Sequence, residues 1–237
     1  HPTAHDEFAR RGVVVHTAPG ALGEPQLIEA LRALPGEGPL ILGIRSKTRV
    51  PAREFGAVPR LEARGAFCIG TGQIDLEAAR AAGVGVFNAP FSNTRSVAEL
   101  VLGEVIMLAR QIFARSQACH RGLWHKSAEG SHEVRGKTLG IVGYGHIGTQ
   151  LSVLAEAIGM KVRYYDILSK LPLGNAAPCV SLLELLALSD YVSLHVPDTE
   201  HTRGMIGADE IAAMRRGAVL INASRGLVVD VEALRDA

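Results

Sequence analysis

Ten residues, Leu139 to Gly148, narrow what this chain can fold into more than any other stretch. An apolar run, Leu-Gly-Ile-Val, breaks into Gly143-Tyr-Gly145-His-Ile-Gly148, and Asp166 follows eighteen residues later at the end of a second apolar run, Val162 to Tyr165. The pattern predicts a strand, a tight turn and a helix. Gly143 permits the turn, Gly145 leaves room for a bulky group to approach the backbone, and Gly148 lets the helix lie close on the sheet. Ile147, Leu151, Leu154 and Ile158 recur at helical spacing and supply the apolar face of that helix.

Such a turn aims unpaired amides and the positive end of a helix dipole at one point in space, which suits a pyrophosphate. The expected anion-facing residues are Gly143, Gly145, His146, Ile147 and Gly148. Asp166 stands where a carboxylate accepts hydrogen bonds from a ribose 2′-hydroxyl. A 2′-phosphate would be repelled there, and Ile167-Leu-Ser-Lys170 contains no arginine to hold one, so the sequence favours NAD over NADP.

The rest of the chain repeats the same alternation. Strands are expected at Val13–Val15, Leu40–Ile44, Ala66–Ile69, Val84–Phe87, Leu139–Val142, Val162–Tyr165, Tyr191–Val196 and Ala218–Asn222. Helices are expected at Glu24–Leu34, Asp75–Ala82, Ile147–Ile158, Leu182–Leu188, Asp209–Met214 and from Asp230 onward, with the box Ser181-x-x-Glu184 capping Leu182–Leu188. The class is α/β, with two doubly wound, mainly parallel sheets covered by helices. A long helix, Val97 to Phe113, is expected to start at a second box, Ser96-x-x-Glu99, and to bridge two domains, 1–92 and 93–237.

Composition excludes several classes of function. With 47% hydrophobic residues and a formal charge of +1, the 237-residue chain lacks the charge excess of a nucleic-acid or membrane-surface binder, and Glu99, Glu104 and Arg110 interrupt the longest apolar helix. No histidines fall at zinc-binding spacing, so no metal is expected. Cys68, Cys119 and Cys179 form no C-x-x-C pair and are expected as reduced thiols of a cytoplasmic protein. His1 is not methionine and Val231–Ala237 reads as a helix without a stop signal, so the chain is expected to be part of a longer protein.

Three loops at the carboxyl ends of predicted strands carry candidate chemistry. Arg45-Ser46-Lys-Thr-Arg49 concentrates three cations and would attract an anionic substrate, although a solvated turn has the same composition. Asn88 to Arg95 could hold an anion on its amides, although N-capping also accounts for Asn93. Asn222-Ala223-Ser224-Arg225 places a guanidinium that can clamp a carboxylate. Leu194-His195-Val196-Pro197 is expected along the cofactor. His195 has no acidic neighbour in sequence to orient it, which favours a packing role over that of a base.

Four segments, Gly136 to Gly148, Asn88 to Leu100, Lys170-Leu-Pro-Leu-Gly-Asn175 and Leu220 to Gly226, resemble the D-isomer-specific 2-hydroxyacid dehydrogenases, and within them the branch that oxidises phosphoglycerate. The resemblance implies a Rossmann NAD-binding domain inserted in a flavodoxin-like substrate domain. It further implies NAD contacts from His146, Ile147 and Asp166, substrate contacts from Arg45, Ser46 and Asn93, and a catalytic Arg225 on the substrate carboxylate and carbonyl. The family's acid–base glutamate and histidine are expected further along the chain than these residues reach. Gly72 stands where the family more often has asparagine. The implied assembly is a homodimer or homotetramer built through the long helix and adjacent arm, with Trp124 as a contact or as a local loop anchor. Related activities on glycerate, glyoxylate or branched 2-oxoacids, and a non-catalytic NAD-sensing role, are the alternatives.

Overall fold

Strand β4 (Thr138–Val142) sits at the centre of a five-stranded parallel sheet, where it pairs with β5 (Lys161–Tyr165) on one side and β7 (Tyr191–Leu194) on the other. The computed structural model describes residues 2–237, the side chains of residues 2–4 and 55 excepted; His1 lies outside the described residues. Contacts divide the chain into two units, His1–Ser92 and Asn93–Ala237.

In the second unit the strand order is β6-β5-β4-β7-β8, with β6 at Ala177–Pro178 and β8 at Val219–Asn222. The chain therefore winds outward from β4 in both directions, which opens a crevice beyond the carboxyl ends of β4 and β7. Leu139, Ile141, Val192 and Leu194 are fully buried, as strands covered on both faces require. Numbering the helices along the whole chain, α5 (Thr94–Ala109) and α7 (His146–Ala157) belong to this unit. Both pack in one core, with Ala98, Val101, Val105 and Ala109 on α5 and Leu151 and Ala155 on α7, and the small residues permit close approach. The other helices here are α6 (Ile112–His120), α8 (Leu182–Leu188), α9 (Ala208–Ala213) and α10 (Val231–Asp236).

Three expectations in this unit fail in detail. The long helix ends at Ala109, and Gln111 turns left-handed with φ 56° before α6 begins. Apolar periodicity continues through Ile112 and no glycine or proline marks the break, so the pattern hides it. The box Ser96-x-x-Glu99 does not form: the helix starts at Thr94, Ser96 Oγ donates to Asn93 O (3.1 Å), and Glu99 pairs with Arg95. Ser181-x-x-Glu184 forms half of its box. Ser181 accepts from Glu184 N, while the Glu184 carboxylate takes the amide of Val180, one residue earlier than the motif predicts.

The first unit carries α1 (Pro2–Arg10), α2 (Glu24–Arg32), α3 (Arg53–Ala57) and α4 (Leu76–Ala81) around a parallel sheet of β1 (Leu40–Ile44), β2 (Leu61–Ala66) and β3 (Gly85–Asn88) in that order. Leu27 and Leu31 of α2 pack on Leu42, Ile44, Leu61 and Ala66. The strand expected at Val13–Val15 is absent. β-branched residues favour a strand only where a ladder partner exists, and Val14 is instead 79% exposed. The strand expected at Ala66–Ile69 ends where it was expected to begin. Register with β1, Leu40 opposite Leu61 and Ile44 opposite Ala66, decides its place, and it brings Arg64 into the interior.

Candidate functional site

Each glycine of the turn after β4 is needed for a different reason. Gly143 has φ 90°, and a Cβ on it would lie 2.6 Å from the carbonyl oxygen of His195 and 3.0 Å from Val196 Cγ1. A Cβ on Gly148 would collide with the Gly143 carbonyl and lie 3.0 Å from Ile141 Cγ2. Both are demanded by the protein's own packing. Gly145 is not: its φ of −84° suits any residue, and nothing lies within 4 Å of where its Cβ would be. What Gly145 preserves is empty space at the N-terminus of α7, where as N-cap it makes no side-chain cap bond of its own.

Asp166 closes the turn from the neighbouring strand. Its carboxylate accepts the amide of Tyr144 (2.8 Å) on one oxygen and the amide of Leu168 (2.9 Å) on the other. Each oxygen keeps a second lone pair. Sequence reading gave this residue one task, acceptance from a ribose; the structure adds another, fixing the turn itself.

His195 and Val196 abut Gly143, and His195 N donates to Val142 O at 2.7 Å. The imidazole Nε2 lies 2.9 Å from Ser193 Oγ, while Nδ1 is buried with no hydrogen-bond partner among the described residues. Burial holds the ring neutral, with its pKa pushed down from 6.5 to about 4. Without a carboxylate and with so low a pKa, His195 is not equipped as a base. A folded pKa below the unfolded one stabilises the neutral state, so stability falls as pH drops from about 6.5 through about 4, by about 3 kcal/mol at most. Chemical denaturation of wild type and His195→Gln across pH 4–7 checks this: the variant should lose that part of the acid slope.

A third wall comes from the turn after β8. Asn222 Oδ1 accepts from Ser224 N (3.0 Å) and Ser224 Oγ (2.8 Å), and Asn222 Nδ2 donates to Arg225 O (2.8 Å). This self-bonded turn presents the exposed guanidinium of Arg225, which donates to Ser224 O (3.0 Å). Arg225 lines a cavity of about 480 Å³ together with Asp198, Gly204, Leu227 and Asp230. Both acids are engaged elsewhere, Asp198 with Arg203 and Asp230 as the cap of α10. Ala223 and Ser224 are half-buried, and Pro197 O accepts from Thr202 Oγ1 (2.6 Å).

The second unit thus gathers Gly143 to Gly148, Asp166 and His195 to Pro197 about one crevice, with Ala223 to Arg225 at the end of β8. Asn93 is the N-cap of α5 and makes no side-chain cap bond. Arg45 and Ser46 belong to the first unit, exposed just beyond β1, where Thr48 N donates to Arg45 O. Arg45, Lys47 and Arg49 form no ion pair among the described residues. Sequence reading missed Ser193 and the tyrosines 144 and 164. Ser193 was within reach, since period-two alternation puts it on the same strand face as His195.

The residues fit a dinucleotide: an open cradle at Gly145 beside the N-terminus of α7, with the Asp166 carboxylate on the same turn and a buried His195 Nδ1 that has no partner among the described residues. Among the described residues no cluster of three or more metal-ligating side chains occurs, and no helix is long and apolar enough to cross a membrane.

Comparison with known proteins agrees with this geometry. The D-3-phosphoglycerate dehydrogenase of Haemophilus influenzae is 58% identical over 196 residues, 83% of this chain and 48% of that protein. The enzyme of the same name from Escherichia coli K12 is 55% identical over 218 residues, 92% and 52% of the two chains. The chain thus spans about half the length of these curated relatives. The crystal structure of the TT0316 protein from Thermus thermophilus superposes with a TM-score of 0.86 at 33% identity, over 99% of this chain and 74% of that one. Residues 102–237, more than half of the chain, match the family model described as "D-isomer specific 2-hydroxyacid dehydrogenase, NAD binding domain", and the chain belongs to that family.

Proposed function

We propose that the full-length protein oxidises D-3-phosphoglycerate to 3-phosphohydroxypyruvate, the entry step of phosphorylated serine synthesis. The empty space kept by Gly145 at the α7 N-terminus, beside Asp166, carries the cofactor part of this reading. The names of relatives at 55–58% identity carry the substrate part. NAD, when bound, supplies the acceptor for the hydride leaving the substrate's C2.

Binding, orientation and polarisation fall to the residues named next; the base that takes the substrate's hydroxyl proton as the hydride leaves is not among them. Amides of His146, Ile147 and Gly148 face the pyrophosphate, and the Asp166 carboxylate takes the ribose hydroxyl while disfavouring a 2′-phosphate. His195 stays neutral beside the glycine turn and adds no charge that would change at pH values well above about 4. Arg225 holds the substrate carboxylate in bidentate fashion and polarises the developing carbonyl. Asn93 in the second unit, and Arg45 and Ser46 in the first, are the further proposed substrate contacts; the cations after β1, which form no ion pair among the described residues, suit an anionic group.

The same reading includes a homo-oligomer in the cytoplasm, a dimer or tetramer. Its support is an apolar surface on α5, α6 and the following arm, where Leu100, Ile112, Phe113, Leu123 and Trp124 are all exposed, Trp124 by 80%. Steady-state assay of the full-length protein tests the activity. Expected is a kcat/KM for 3-phosphoglycerate at least about tenfold above that for D-glycerate, about 1.4 kcal/mol or more of transition-state binding to the phosphate. Equal or better use of D-glycerate overturns the substrate.

A further inference from the structure

The first unit keeps a charged pair inside a fold whose core is otherwise apolar, built from residues such as Leu27, Leu31, Val50, Val58 and Leu61. Glu54 on α3 and Arg64 on β2 are both fully buried, with Oε2 and Nη2 3.9 Å apart, too far for a hydrogen bond. Neither carboxylate oxygen of Glu54 has a hydrogen-bond partner among the described residues. A carboxylate accepts at every lone pair, so a place that gives it no donor suits the protonated acid better than the anion. Burial accordingly lifts the Glu54 pKa from 4.5 to about 7, against the pull of Arg64 and with a further push from Glu24.

The helix that carries Glu54 is lightly held. With five residues, Arg53–Ala57, α3 is too short to persist on its own hydrogen bonds. Its polar ties to α2 lie at the surface: Arg53 pairs with Glu24 (3.0 Å) at one end, and Arg32 donates to the Ala57 carbonyl (3.0 Å) at the other. Exposed contacts of this kind contribute little. Both flanks, by contrast, are fixed. Buried Val50 donates its amide to Gln73 O (2.8 Å) and accepts from Asp75 N (3.1 Å), and buried Val58 accepts from Leu61 N (3.0 Å). Residues 51–57 can therefore swing while their two ends stay seated. Few charges face Glu54. Arg64 attracts it from β2 and Glu24 repels it from α2, Arg53 on its own helix is engaged with Glu24, and the register neighbours of Arg64 on β1 and β3 are the apolar Leu42 and Val86.

We propose that residues 51–57 form a proton-operated flap: protonated Glu54 keeps it closed against Arg64, and ionised Glu54 reaches water by carrying α3 outward between hinges at Val50 and Val58. In the open flap Glu54 titrates as an ordinary carboxylate near 4.5, in the closed flap near 7. The contribution of Glu54 to closure is therefore complete below about 4.5 and is lost as pH rises through about 7. Between pH 6 and 8.5 these two values raise the open fraction about tenfold. Only α3 moves, so the flap opens at a smaller cost than unfolding of the whole unit.

Hydrogen exchange of the full-length protein at pH 6 and 8.5, corrected for the intrinsic chemical rate, tests the flap. In wild type the amides of residues 54–58 should exchange about tenfold faster at the higher pH, and faster at both pH values than those of β1 and β2. Glu54→Gln fills the same space without a charge and should remove the step. Arg53→Gln cuts only the outer tie to Glu24; it should speed exchange of the same amides about twofold at both pH values and keep the step. No step in wild type, or an equal step in Glu54→Gln, overturns the proposal. Exchange of residues 54–58 at the rate of β1 and β2 also overturns it, since the unit would then open only as a whole, and that comparison needs wild type alone.

Discussion

Gly145→Val should leave the second unit folded and lower its affinity for NAD by about two orders of magnitude, close to about 2.7 kcal/mol. The residue's φ of −84° and ψ of −156° are open to a branched side chain, and no atom lies within 4 Å of the new Cβ. The loss of a glycine N-cap costs about 1 kcal/mol at most, a few degrees in Tm. In exchange the methyl groups occupy the space through which a pyrophosphate must reach the amides of α7. Gly148→Ala provides the contrast. Its Cβ would strike the Gly143 carbonyl and crowd Ile141, so binding and folding should weaken together, the latter by about 1–3 kcal/mol. Circular-dichroism melts paired with NAD titrations separate the two outcomes. Unchanged NAD affinity in Gly145→Val would mean that the phosphates do not pass there.

A second large effect is expected in the first unit. Arg64 on β2 and Glu54 on α3 are both 0% exposed, with Nη2 and Oε2 3.9 Å apart. Burial raises the Glu54 pKa to about 7, against the pull of the Arg64 charge and with a further push from Glu24; burial likewise lowers that of Arg64. Attraction does not repay desolvation here. Unfolded Glu54 loses its proton near 4.5 and folded Glu54 near 7, so its stabilising share is full below 4.5 and vanishes as pH rises through 7, about 3 kcal/mol in all. Glu54→Gln should abolish that slope. Glu54→Leu alone, which takes the counter-charge from Arg64, should cost about 3–5 kcal/mol at pH 7, whereas Glu54→Leu with Arg64→Met should be neutral or gain up to about 4 kcal/mol. Hydrogen exchange of β1 and β2 amides at pH 5 and 8.5 reads this unit selectively. An identical pH slope in wild type and Glu54→Gln would contradict the account.

The legible part of this protein is the part whose signal is local. Gly143 and Gly148 were assigned a turn and a close helix contact from spacing alone, and both are visible as steric necessities in the fold. Most strand and helix centres of the second unit follow from apolar runs and helical spacing, and the central strands β4 and β7 are the ones buried on both faces. What escaped depends on partners distant in sequence or on cooperative geometry. Val13 to Val15 has strand chemistry but no ladder partner in the structure, and the buried place of Arg64 is set by register with β1. The break at Gln111 carries no breaker residue. The stack of Tyr144 on Tyr164 joins positions twenty residues apart that only the β4–β5 pairing brings together. Asp166 was read for its ligand and not for the two amides that it binds within the turn.

Calorimetric titration of the full-length protein with NAD, wild type beside Gly145→Val, bears most directly on the claim that the 143–148 turn and Asp166 hold a dinucleotide. Saturable binding with one site per chain in wild type, reduced about a hundredfold in the variant, is the predicted result. Absence of heat with wild type, or equal affinity in both proteins, would contradict it.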